Sequence, residues 1–188
     1  MSSMLPMLDL VIETERLRLL ATSEDYAESI FREFTSEITW YMGPKPPDAI
    51  DETLAFIADA RRKMKQRSEF QATMLLKSTG EFLGQGGLHH LERDTPELGI
   101  WIKKSAHGNH YGREAVTALT HWAFENLTVE YLIYPVDRRN VASRKIPESL
   151  GGRVEAEYQY ENQSGRTLDI VQYRIYASSQ RAREAPSP

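Results

Sequence analysis

The chain has 188 residues, 40% of them apolar and 27% charged, with a formal net charge of -4 and no cysteine. That length suits one domain burying roughly 70% of its unfolded surface, in an ordinary soluble globular mix. The acidic balance argues against a general nucleic-acid binder, and the lack of cysteine excludes disulfides, thiolate metal sites and a cysteine nucleophile.

The opening M-S-S-M-L-P-M-L-D-L has neither a basic n-region nor a long apolar core, so no signal peptide is expected. No apolar run approaches a membrane span, and the expected location is the cytoplasm. Leu10 to Ala21 predicts one half-buried strand, Leu17 and Leu19 alternating with Arg16 and Arg18. Thr22 to Asp25 reads as a hydroxyl-capped helix start, with Ile30, Phe31 and Phe34 on the apolar side. Pro44 to Pro47 forces an extended turn. A second helix is expected over Ala49 to Lys65, with Leu54, Ile57, Ala58 and Arg61 in register and a basic end.

The period then changes. Strands are expected over Phe70 to Lys77, Glu81 to Leu91 and Glu97 to Lys103. Gly84, Gly86 and Gly87 point to a bulge or a close backbone neighbour. A long helix follows with Ala115, Val116, Leu119, Trp122 and Ala123 as its buried stripe. Tyr131 to Val136 is a strand that Pro135 leaves unpaired on one side. Asn140 to Leu150 is a short helix ended by Gly151-Gly152. Arg153 to Glu161 and Leu168 to Tyr176 form a closing hairpin, and Ser178 to Pro188 reads as a loose tail. The order predicts a single α+β domain: a mixed, mostly antiparallel twisted sheet of about seven strands flanked by helices.

One stretch asks for more than a turn. Ser105 to Ala115, S-A-H-G-N-H-Y-G-R-E-A, places glycines, an asparagine and two histidines directly before the long helix. Free backbone amides at a helix N-terminus hold anions; a plain strand-to-helix turn with solvated charges is the competing reading. The histidines also form two pairs, His89-His90 and His107/His110. Neighbours on a strand face opposite ways, and there is no H-E-x-x-H helix, so no metal is expected.

Four pieces together resemble the GNAT acyltransferases, and within them the RimJ/RimL-like branch of N-terminal protein acetyltransferases. They are I-E-T-E-R-L-R-L at Ile12 to Leu19, E-L-G-I-W-I from Glu97, G-R-E-A-V from Gly112, and N-V-A-S-R-K-I-P-E-S-L-G-G from Asn140. The resemblance implies a GNAT-type sheet with two central strands splayed at the cofactor site, and acetyl-CoA as co-substrate. It places the pyrophosphate on the amides of His107-Gly108-Asn109-His110-Tyr111-Gly112, beside Ile102 and Arg113, with Lys103 and Lys104 adding screening. This loop departs from the family's Gln/Arg-x-x-Gly-x-Gly/Ala at two positions. His107 stands for Gln or Arg, and His110 stands for a glycine free to take positive φ, so His110 either strains the loop or moves the phosphate.

The resemblance also implies that Asn140 contacts the pantetheine arm and that Ser143 supports the leaving thiolate. Asn140 as a helix cap and Ser143 as helix filler is the plainer reading, and the two roles are compatible. The implied reaction is attack of a neutral amine on a thioester, with the oxyanion held by a strand N–H. An α-amine of pKa near 8 is roughly 10% neutral at pH 7, whereas a lysine near 10.4 is about 0.04% neutral, so the latter needs a base far more. Glu97 is the candidate base, acting directly or through water. Trp40, Tyr41, His89 and Trp101 are candidate acceptor-site residues, with a core role the alternative for each aromatic. The acceptor is a primary amine, either a protein N-terminus or a small molecule; a homodimer is a candidate assembly. The rival reading is an acyl-CoA-binding scaffold without catalysis.

Overall fold

A computed structural model of the protein describes residues 6–177; the expected tail from Ser178 to Pro188 lies outside the described residues, as do residues 1–5. The strands are β1 (Val11–Glu13), β2 (Leu17–Ala21), β3 (Glu69–Leu76), β4 (Phe82–His89), β5 (Glu97–Ile102), β6 (Leu132–Asp137), β7 (Arg153–Glu161) and β8 (Thr167–Ile175). The helices are α1 (Ala27–Glu33), α2 (Ile50–Lys65), α3 (Tyr111–Asn126) and α4 (Val141–Ser149). All eight strands join one sheet in the order β1-β2-β3-β4-β5-β6-β8-β7. Every ladder is antiparallel except β5 with β6.

The expected first strand is two strands, which raises the count from about seven to eight. Thr14 N–H donates to Leu17 O at 2.9 Å, and Leu17 N–H donates to Thr14 Oγ1 at 2.8 Å, so the chain reverses over three residues. Alternation continues on both sides of the reversal, which hides it from a period-two reading. The hydroxyl cap before α1 is also absent. Ser23 donates instead to Asp25 Oδ2 at 3.1 Å, and the first turn, Glu24–Tyr26, is 3₁₀.

α2 buries Thr53, Ile57, Ala60 and Met64. Of the four residues expected in helical register, Leu54 and Ile57 pack against the sheet while Ala58 is exposed. Arg61 turns its guanidinium to Thr22 O at 2.9 Å. α3 buries Ala115, Val116, Leu119, Thr120 and Ala123 as a continuous seam, each large apolar side chain contributing roughly 1.5–3 kcal/mol.

The ladder registers sort the sheet into two unlike faces. Glu69, His89 and Glu97 are cross-strand partners in series, as are Gln71, Gly87 and Gly99, and Thr73, Gln85 and Trp101. These nine share a face, and it is polar and glycine-rich. The alternate residues Phe70, Ala72, Met74, Leu88, Leu98 and Ile100 make an apolar face that packs with α3 in the main core. α1 and α2 cover part of the polar face through Ile30, Leu54 and Ile57, against Leu75, Phe82 and Trp101. The glycines permit close approach there: a Cβ at Gly84 would lie 2.2 Å from Trp101 O, and one at Gly87 2.4 Å from Phe70 O.

Candidate active site

β5 and β6 meet at a single register pair, Glu97 with Ile133, supported by Ile133 N–H donating to Pro96 O at 2.9 Å. Beyond it they part. Pro135 offers no N–H, and β6 spends its pairing on β8, where Pro135 faces Gln172. β5 meanwhile stays paired to β4, and Lys103 N–H donates to Leu83 O at 2.8 Å. Antiparallel alternation therefore turns the amides of Ile100 and Ile102 away from β4 and into the opening. A wedge between two strands, edged by unpaired strand amides, matches the expected splay.

β5 leads through the 3₁₀ turn Lys104–Ala106 into the loop at the mouth of α3. Gly108 has φ +83° and His110, the residue capping α3, has φ +62°. The backbone does require positive φ at the position where a histidine replaces the family glycine, at a cost of roughly 1–2 kcal/mol for an L-residue. His110 is exposed and lines a groove of about 630 Å³ that runs between β1, the reversal after it and the outer side of α3. Among the described residues, the N–H groups of Gly108 to Arg113 find no acceptor. Gly112 seats the helix close to β5; a Cβ there would lie 3.6 Å from Ile102 Cγ1. Six unpaired amides, a helix terminus and two residues with positive φ meet at this mouth, a donor set whose chemistry fits the diphosphate of acetyl-CoA.

Several side chains around that mouth have other duties. His107 Nε2 sits 2.8 Å from Ile102 O, so an exposed imidazole bridges to the carbonyl at the end of β5. Asn109 Nδ2 donates to Ala106 O and His107 O, each at 3.2 Å, and its own carbonyl accepts from Arg16 Nη2 at 3.1 Å. The expected cationic screen is smaller than three residues. Lys103 is buried against Glu81 at 2.6 Å, and Lys104 pairs with Glu37, because both point to the α1 side of the strand end. Arg113 is exposed and makes no ion pair among the described residues.

Two clusters hold the wedge in place, and neither was read from the sequence. Glu114, in the first turn of α3, accepts from Thr14 Oγ1, from Arg16 N–H at 2.9 Å and from Arg16 Nε at 2.7 Å. These bonds hold its carboxyl below the usual range and tie the β1–β2 reversal to the helix; the Arg16 guanidinium also lies 4.6 Å over the Tyr111 ring. At the end of β6, fully buried Asp137 accepts from Arg139 N–H and Nε and from Asp169 N–H, fixing the turn into α4.

α4 then presents the two expected residues. Asn140 caps the helix, its Oδ1 accepting from Ser143 N–H at 3.2 Å. The Ser143 hydroxyl is 2.8 Å from the Tyr134 hydroxyl. Tyr134 is 2% exposed and burial pushes its phenol up to about 12, so it stays protonated at neutral pH. Pro147 removes the N–H that would bond the Ser143 carbonyl.

The polar face carries Glu97 and the expected His89 and Trp101. Glu97 is half-buried and its carboxylate forms no hydrogen bond or ion pair among the described residues. Burial raises its carboxyl above the usual value, opposed by the charges of His89, His90 and Arg93. His89 lies over Gly99, where a Cβ would come within 3.0 Å of Nε2, and its Nδ1 is 3.5 Å from Glu69. His89 and Trp101 line a cavity of about 490 Å³ between this face, α1 and α2. Trp40 and Tyr41 do not line it. They end a 3₁₀ turn, half-exposed Trp40 lying 4.4 Å under Arg166 and Tyr41 5.7 Å from Arg139. The residues missed on this face are Gln71 and Gln85, whose signal was polar residues at strand positions later found buried.

The family model described as "Acetyltransferase (GNAT) domain" matches residues 16–153. The chain belongs to the GNAT acetyltransferase family. A curated relative, the uncharacterized N-acetyltransferase YoaA of Bacillus subtilis, is 25% identical over 169 residues, covering 88% of this chain and 96% of that one. The ribosomal-protein-S5-alanine acetyltransferase structure from Vibrio fischeri superposes with a TM-score of 0.78 at 18% identity, covering 90% of this chain and 98% of that one. The microcin C7 self-immunity acetyltransferase MccE, solved with acetyl-CoA and AMP, gives 0.77 at 16%, covering 87% of this chain and 94% of that one. At those identities the solved neighbours establish the GNAT fold alone.

Proposed function

We propose that the protein is an acetyl-CoA-dependent N-acetyltransferase that acetylates a primary amine by direct transfer. The observation that carries this reading is the wedge between β5 and β6, closed at Glu97 and opening toward the unpaired amides before α3. Acetyl-CoA would supply a thioester-activated acetyl group.

The amides of Gly108 to Gly112, with Arg113, would hold its diphosphate, and His107 would swing from Ile102 O to admit the arm. Asn140, its Oδ1 already used as a cap, has Nδ2 for the arm's carbonyls. The amide of Ile100 or Ile102 would steady negative charge on the acetyl oxygen. Glu97 takes the proton released as the C–N bond forms, directly or through water. As the C–S bond breaks, Ser143 gives the sulfur a proton and regains one from Tyr134 or solvent. The acceptor is a protein N-terminus or a small amine; the RimJ/RimL-like sequence pieces and the ribosomal-protein neighbour support the first. His107 favours one second reading, an acyl-CoA-binding protein of weak or no activity, because its ring occupies a carbonyl at the wedge.

Thermal melting with acetyl-CoA tests this. One site at 100-fold excess over Kd adds about 2.7 kcal/mol. The expected result is that shift together with thiol release when an amine is added. A shift without thiol release across an amine panel supports the second reading, and no shift at millimolar ligand rejects both.

A further inference from the structure

We propose that the cavity on the polar sheet face selects a primary amine that carries a compact apolar group and a neutral amide or carbonyl, and that it disfavours polycationic amines. This rests on the acetyl-transfer reading above.

A volume of about 490 Å³ suits a ligand the size of an amino-acid amide. Its walls from α1, α2 and β5 are apolar, set by Ile30, Phe34, Phe56 and Trp101. Gln71 stands on its sheet side and is 7% exposed, yet its carboxamide finds no partner among the described residues. The amide lies along Gly87, where a Cβ would come within 3.3 Å of Gln71 Oε1. Thr53 Oγ1, on the facing helix wall, is also buried without a partner. A neutral carboxamide so placed answers a carbonyl or amide on the ligand. A carboxamide on the cavity wall loses its water when a ligand enters, so an analogue that cannot pair with it is disfavoured.

Charge argues in the same direction. The cavity's full charges are one Lys45, held by Asp48, and one Glu52. On the adjoining sheet face Glu69 is already bonded by Lys63 at 2.9 Å. Glu52 faces the Lys45 charge, so Glu97 is left as a seat for one amine, whereas a polyamine needs a carboxylate for each nitrogen.

The test compares kcat/KM for phenylalaninamide, phenethylamine and spermidine at saturating acetyl-CoA, each corrected for its neutral fraction. We expect the wild type to prefer phenylalaninamide over phenethylamine by about 10-fold or more, with spermidine the poorest. Gln71→Met should level the first two. Phe56→Ala, at a position 42% exposed and so tolerant of truncation, should slow phenylalaninamide while sparing glycinamide. Phenylalaninamide alone should raise the melting temperature of the wild type and not of Gln71→Met. Spermidine as the best substrate, or an amide preference that survives in Gln71→Met, overturns the proposal. An absent acetyl-CoA shift instead overturns the acetyl-transfer reading, and the amine-only melts still decide the cavity's preference.

Discussion

At the residue scale, the proposed chemistry turns on groups whose surroundings change their ordinary behaviour. Burial raises the Glu97 carboxyl above its ordinary value of 4.5. A raised folded pKa means that the ionised, base-competent form is present only above that pKa. The acidic limb of kcat against pH should therefore lie above the usual carboxylate range. Glu97→Gln should flatten that limb and slow turnover by about 100-fold or more, while removing a buried charge that disfavours folding at neutral pH. An unchanged limb in the variant assigns proton removal elsewhere. His110 is the second such residue, an L-residue held at φ +62°. His110→Gly should relieve about 1 kcal/mol of backbone strain, a rise of roughly 2–4 °C in melting temperature for a chain this long. A fall instead would mean that the imidazole holds the loop.

At the element scale, the mouth of α3 is positioned by a carboxylate that reaches back across 98 residues to the β1–β2 reversal. Glu114→Gln puts an amide N–H in place of the oxygen that accepts from Arg16 Nε and removes the charge opposite the guanidinium, so it should cost about 1–3 kcal/mol. The carboxyl is held below its ordinary value of 4.5 by those same bonds. Its stabilisation is thus complete above that value and is lost as the pH falls through the depressed pKa. Thermal melts of wild type and variant should converge on acidification; a constant gap contradicts the assignment. The elements themselves were largely legible. The expected ends of α2, β5 and β7 fall within a residue or so of those observed, because caps, glycines and prolines mark them locally. The reversal at Thr14 to Arg16 was not legible, because it uses no glycine or proline and its main partner lies far along the chain. The register of α2 was legible in part: Leu54 and Ile57 pack as expected, but apolar Ala58 faces outward because the sheet beneath chose the neighbouring phase.

At the scale of the whole molecule, the wedge is a statement about pairing, and hydrogen exchange reads pairing directly. The amides of Ile100 and Ile102 should exchange fast in the free protein, and that of Trp101, which faces β4, slowly. Acetyl-CoA should slow the first two and leave the third unchanged. Equal protection of all three in the free protein would mean that β5 and β6 are closed.

The amino-acid sequence alone determined the α+β order, the glycine-rich approach to a helix terminus, and the proline that stops β6 from pairing on both sides. Each of these follows from local backbone chemistry or from a period that a short window contains. Tertiary structure decided what those elements enclose. It gave β2 an added neighbour in β1, turned Lys103 and Lys104 to carboxylates, and moved Trp40 and Tyr41 off the cavity. It also set Gln71, His89 and Glu97 on one face. The physical reason is that a side chain's partner depends on register between strands distant in the chain, and a shift of one residue reverses every face.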